Sequence, residues 1–153
     1  MLKINKILVP IDFSEVSHFI VKWAKDFAQK LEAEVLLTFV LEDLSSQEGV
    51  YANVETLKEL QEILMNGAKQ SMEEFVKKYF SDFPKIKTII EKGDIAEKII
   101  EIGRKEKADL IVIGTHGRKG LDKILFGSVA ERVIQLSPIP VVSLNPYRME
   151  KNL

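Results

Sequence analysis

Three glycines and a serine carry the clearest chemistry in this sequence: Gly114, Gly117 and Gly127, with Ser128 directly after the last. They stand in VIGTHGRKGLDKILFGSVAERV, between an apolar run with strand character and an amphipathic run with helix character. Glycine has no Cβ and lets a backbone pass close to a ligand. A helix opening at Ser128 offers unpaired N–H groups and the positive end of its dipole, and both suit a phosphate. The pattern points to a phosphate-bearing ligand, a nucleotide foremost.

Other candidates gather around it. Asp12 follows the first apolar run and suits ribose hydroxyls or a metal-bound phosphate, or else caps the next helix together with Ser14. Pro10 suits the same pocket, or simply ends the strand. Val40 offers only its backbone N–H and C=O, which suit an adenine edge; as a side chain it reads as core. Ser128 and Glu131 form a capping-box pattern, a role compatible with phosphate binding at the same helix end. His116 reads as an exposed loop residue rather than a base. Arg118, Lys119 and Lys123 make the loop basic, either toward phosphates or toward solvent alone.

The elements that must position these residues can be read from periodicity. Strands are expected at 6–12, 34–41, 85–91, 109–114 and 140–144. Helices are expected from Ser14 to about Leu31, from Val54 to Tyr79, from a cap at Asp94 with Glu97, and from Ser128 to Leu136. The apolar stripe of the long second helix is Leu57, Leu60, Leu64, Ala68, Met72, Phe75 and Tyr79. Continuous apolar strands alternating with helices imply a parallel sheet covered on both faces. One domain is expected over 1–146, with a polar, frayed tail at 147–153. In such sheets ligands sit at the carboxyl ends of the strands. The 115–127 connection is long for this fold class, which marks it as functional.

Composition limits the alternatives. The chain has 153 residues, no cysteine, two histidines and a formal charge of −1. No thiolate chemistry is available, and neither nucleic acid nor a membrane is an expected partner. No apolar run approaches the ~18 residues of a spanning helix, and a cytoplasmic protein is expected.

The spacing G-x2-G-x9-G-[ST], here Gly114, Gly117, Gly127 and Ser128, resembles the ATP-binding signature of the universal stress protein family. The resemblance covers nearly the whole chain, since KILVPIDFSE resembles the family's first strand and SPIPVVSL its last. It implies a three-layer α/β sandwich, Rossmann-like and similar to the adenine nucleotide alpha hydrolases, with strand order 3-2-1-4-5. It implies a homodimer through the 140–144 strand. It also implies an ATP site lined by Pro10, Ile11, Asp12, Val40, Gly114, Thr115, His116, Gly117, Arg118, Gly127, Ser128 and Val129. Mg would be held through the phosphates, with no protein ligand assigned. The 41–53 loop would shape the outer wall.

The function expected on this basis is an ATP-dependent regulatory or stress-response module. A slow ATP hydrolase or phosphotransferase is the second reading, and a nucleotide-free dimeric scaffold the third. No G-x4-G-K-[ST] motif with a phosphate-reaching lysine is present, and no catalytic residue is assigned. A phospho-receiver is set aside, because Asp12 has no acidic companions and the last strand no lysine.

Overall fold

Unbroken apolar runs such as ILV and LIVI suit strands buried on both faces, and that is how they fold. The computed structural model describes residues 1–45, 54–116 and 127–149. Gly117, Arg118, Lys119, Lys123 and most of the 41–53 loop lie outside the described residues. The elements are β1 (Lys6–Pro10), α1 (Ser17–Leu31), β2 (Glu34–Glu42), α2 (Val54–Tyr79), β3 (Ile86–Gly93), α3 (Ile95–Glu106), β4 (Leu110–Gly114), α4 (Ser128–Leu136), β5 (Val141–Leu144) and α5 (Pro146–Met149). The strands form one parallel sheet in the order β3-β2-β1-β4-β5.

Side chains alternate between two cores. Ile7, Val9, Val35, Leu37 and Val112 face α1 and α2, meeting Val21, Ala24 and Met72. Leu8, Leu36, Ile111 and Ile113 face α3 and α4, meeting Ile99, Ile102 and Val133. Each such buried aliphatic side chain contributes roughly 1.5–3 kcal/mol. The 26-residue α2 outruns the sheet. Only Leu57, Ala68 and Met72 of its expected stripe are fully buried, and Leu64 is 40% exposed.

Helix starts separate into one confirmed cap and two corrections. Asp94 caps α3 as expected, accepting the Glu97 N–H at 3.0 Å. Ser14 does not cap α1, which starts three residues later with Val16 in the cap position and no side-chain bond. Asp12 organises this turn instead, accepting the Ser14 N–H at 3.0 Å and the Ser17 hydroxyl at 3.1 Å. Phe13, between them, is left-handed at φ 59°. Ser128 does not cap α4 either. Gly127 holds the cap position in extended conformation (φ −64°, ψ 137°), and Ser128 is the first helical residue. Pro146–Met149 form the short α5, with Pro146 buried, and residues 150–153 of the expected tail lie outside the described residues.

Candidate functional site

The strand order fixes where a crevice opens. From β1 the chain turns to the α1 face, and from β4 to the α4 face, so the connections diverge between these neighbours. Ile7 pairs with Leu110 and Leu8 with Ile111. Carried along the strands, that register sets Ile11 opposite Gly114, so Asp12 and Thr115 leave the sheet side by side. Pro10 ends β1, which is shorter than the expected 6–12. The last bond of the β1–β2 ladder is the Ile11 N–H to the Thr38 carbonyl at 2.8 Å. Val40 lies beyond it, and β2 runs on to Glu42, one residue past the expected 34–41. Its side chain is buried in the α3/α4 core, but β2 has there outrun β1, so its main chain borders the crevice.

The glycine loop is drawn closed at its base. The Thr115 N–H donates to the Leu144 carbonyl at 2.8 Å, anchoring the strand end to β5. The Gly127 N–H donates to the Thr115 carbonyl at 2.7 Å, closing a neck between residues 115 and 127. A Cβ on Gly127 would sit 2.7 Å from that same oxygen. A Cβ on Gly114 would meet Ile20 at 3.1 Å and the His116 carbonyl at 3.2 Å. Gly127 is thus required by the protein's own backbone before any ligand is considered, while a side chain at Gly114 would first press on Ile20.

His116 corrects the expectation of an exposed loop residue: it is only 7% exposed. Its Nδ1 shares a 2.8 Å hydrogen bond with the Thr115 hydroxyl, and its ring stands edge-on to Tyr147 at 5.2 Å. Its Nε2 is buried and has no hydrogen-bond partner among the described residues. A buried polar atom of this kind is costly, and such atoms concentrate at functional places.

The neck delivers the amino end of α4 to the crevice. Among the described residues no side chain caps this end. The helix's first N–H groups have no intrahelical partner, and Ser128 is exposed. The amino end of α3 differs, because Asp94 caps it and also pairs with Arg132 of α4. Arg132 Nη1 lies 3.1 Å and 3.0 Å from the two Asp94 oxygens. Arg132 first, and the Glu97 N–H second, hold the Asp94 carboxyl below the usual carboxylate range. Sequence reasoning missed Arg132, and nothing in its local pattern points to a partner 38 residues away. It missed Tyr147 for the same reason.

Among the described residues no three acidic or histidine side chains converge as a metal cage, and no helix is long and apolar enough to cross a membrane. An open cleft of about 400 Å³ lined by Lys6, Glu34 and Lys85 lies at the amino ends of the strands, away from the crevice.

A parallel sheet of order 3-2-1-4-5, with a closed glycine neck and an uncapped helix at its switch point, defines a Rossmann-like α/β protein. Residues 3–144 match the Universal stress protein family, and the chain belongs to that family. It is 38% identical over 147 residues to Universal stress protein MJ0531 of Methanocaldococcus jannaschii, covering 95% of this chain and 85% of that one. It is 37% identical over 151 residues to MJ0577 of the same organism, covering 90% and 93%. The solved structure of MJ0577 superposes with a TM-score of 0.80 over 94% of this chain and 96% of that one. Two more distant proteins share the fold. One is a universal stress protein in complex with cAMP, at 19% identity and TM-score 0.61. The other is an Archaeoglobus fulgidus protein in complex with dAMP, at 21% and 0.63.

Proposed function

We propose that this protein is a nucleotide-dependent regulatory module that binds ATP at the β1/β4 crevice. One observation carries the reading: the Gly127–Thr115 neck bond holds the amino end of α4, which no side chain among the described residues caps, at the end of β4. Unpaired N–H groups there suit a polyphosphate. In this reading Pro10, Ile11 and Asp12, with the Val40 main chain, contact the adenosine. Gly114, Thr115 and His116 line the passage to the phosphates, and Gly127, Ser128 and Val129 hold them through N–H groups and the Ser128 hydroxyl. Gly117 and Arg118 join on the strength of the family signature. The ligands of the cAMP and dAMP complexes are adenine nucleotides, which supports that ligand class. A divalent ion such as Mg would neutralise phosphate charge when bound. We also propose a homodimer through β5, an edge strand whose second side has no neighbour among the described strands.

The test is direct. Nucleotide released on denaturing the purified protein is identified by ion-exchange chromatography, and the stripped protein is titrated calorimetrically with Mg-ATP. Saturable binding is expected. Absence of heat at millimolar ATP overturns the reading.

A slow ATP hydrolase is the second reading, favoured by the buried, unpartnered Nε2 of His116 beside the neck. It requires a proton acceptor near the phosphates. Turnover unchanged in His116→Ala removes it.

A further inference from the structure

Two helix amino ends stand side by side at the carboxyl edge of the sheet, and Arg132 joins them by ion pairs to Asp94 and Glu97. Asp94 belongs to the fixed member. Its Oδ1 accepts the Glu97 N–H at 3.0 Å, and the residue before it, Gly93, ends β3 and accepts the Asp43 N–H at 3.2 Å. Arg132 belongs to the other member, four residues beyond Ser128 and so about one turn along α4. Besides the two Asp94 contacts, its Nη2 lies 3.8 Å from Glu97 Oε1. The first turn of α4 has no side-chain cap among the described residues. Its buried side, Ala130 and Val133, is small and aliphatic and presents no directional bond.

We infer that Arg132 is a positioning residue: its ion pair with Asp94 sets the rotation and height of the first turn of α4, and hence where its N–H groups aim. The inference rests on the nucleotide reading above. Its ligand-facing consequence is confined to the phosphates, because in that reading α4 contacts them and not the adenosine. Arg132 acts through the helix and not by reaching the ligand. Its guanidinium is already turned away, toward α3.

Two substitutions separate positioning from simple charge attraction. Asp94→Asn preserves the cap of α3, since Asn caps a helix about as well as Asp, but removes the ion pair. Arg132→Gln removes the pair from the other side. If Arg132 positions α4, both weaken Mg-ATP. If Arg132 merely attracts phosphate through space, Asp94→Asn frees its charge and tightens Mg-ATP, while Arg132→Gln weakens it.

The full-length chain and both variants are titrated with Mg-ATP and separately with adenosine, alongside thermal unfolding. We expect each variant to lose about three- to fivefold in Mg-ATP affinity, the upper end of what an exposed ion pair contributes. Adenosine affinity is expected to stay within about twofold, and the double variant to be no weaker than either single one. Opposite signs for the two variants overturn the inference. So does equal loss of adenosine affinity, which would mark general damage, and so does no change at all. A wild-type chain that binds neither ligand fails the nucleotide reading itself, before any variant is compared.

Discussion

The Gly127 N–H donates to the Thr115 carbonyl at 2.7 Å, and a Cβ on Gly127 would stand 2.7 Å from the same oxygen. Gly127 is therefore first a device for closing the neck between residues 115 and 127. A side chain at 127 forces the neck apart whether or not a phosphate is near. Gly127→Ala is expected to lower stability by about 1–3 kcal/mol, as crowding against a rigid partner does. Its denaturation midpoint, measured without nucleotide, should fall. An unchanged midpoint would show that the neck relaxes freely.

Because Gly127 serves the backbone, the phosphate contact is better tested one residue on. Ser128 is the first residue of α4, where proline is well tolerated because its missing N–H has no helical partner. Gly127, at ψ 137°, already has the conformation that a following proline requires. Ser128→Pro should thus keep the fold while deleting one N–H and one hydroxyl from the phosphate side. A hydrogen bond to a charged group contributes about 1.5–3 kcal/mol, so Mg-ATP affinity should fall roughly tenfold or more. Equal affinity in a folded variant would place the phosphates elsewhere.

Periodicity revealed the skeleton of this site and little of its detail. The span of α4, 128–136, was readable because Val129, Ala130 and Val133 fall on one face before the Pro138 break. Its cap was not, since Gly127 and Ser128 both suit that position and only the backbone angles decide. Asp12 was readable as a strand-end acid. That it would take over the turn from Ser14 depends on where Ser17 comes to lie. The burial of His116 comes from contacts such as that with Tyr147, which belongs to an element 30 residues later. Strand order came through the family resemblance and not through spacing. No local pattern distinguishes β1 beside β4 from β1 beside β3.

Acid should test the surface pairs together. The Asp94, Asp82 and Glu106 carboxyls are held below their ordinary values, chiefly by Arg132, Lys25 and Lys87 in turn. A lowered folded value means that the unfolded chain binds protons first. Their stabilisation is therefore present above the ordinary carboxylate range and lost as pH falls through the lowered values. Lys87 and Lys98 are raised, chiefly by Glu106 and Glu101, so theirs is present below the ordinary lysine range and lost as pH rises through the raised values. The melting temperature should be flat between about pH 5 and 9 and fall on the acid side below about 4. Asp94→Asn should make that acid fall shallower. An identical acid limb would show that the Arg132 pair contributes nothing to stability.

The edge of β5 can be tested without touching the sheet. The Pro140 carbonyl accepts from the Ile111 N–H at 2.9 Å, and the Leu144 carbonyl from the Thr115 N–H at 2.8 Å. Even-numbered residues of this segment therefore face β4, and the main-chain groups of Val141 and Ser143 face the open edge. Proline is acceptable on an edge strand where its nitrogen faces outward. Ser143→Pro should leave the internal ladder intact and remove a donor that a second chain needs for pairing. Light scattering should show a dimer for the wild type and a monomer for the variant at equal concentration, with matching circular dichroism. A variant that stays dimeric would move the interface away from this edge, and a monomeric wild type would remove the dimer altogether.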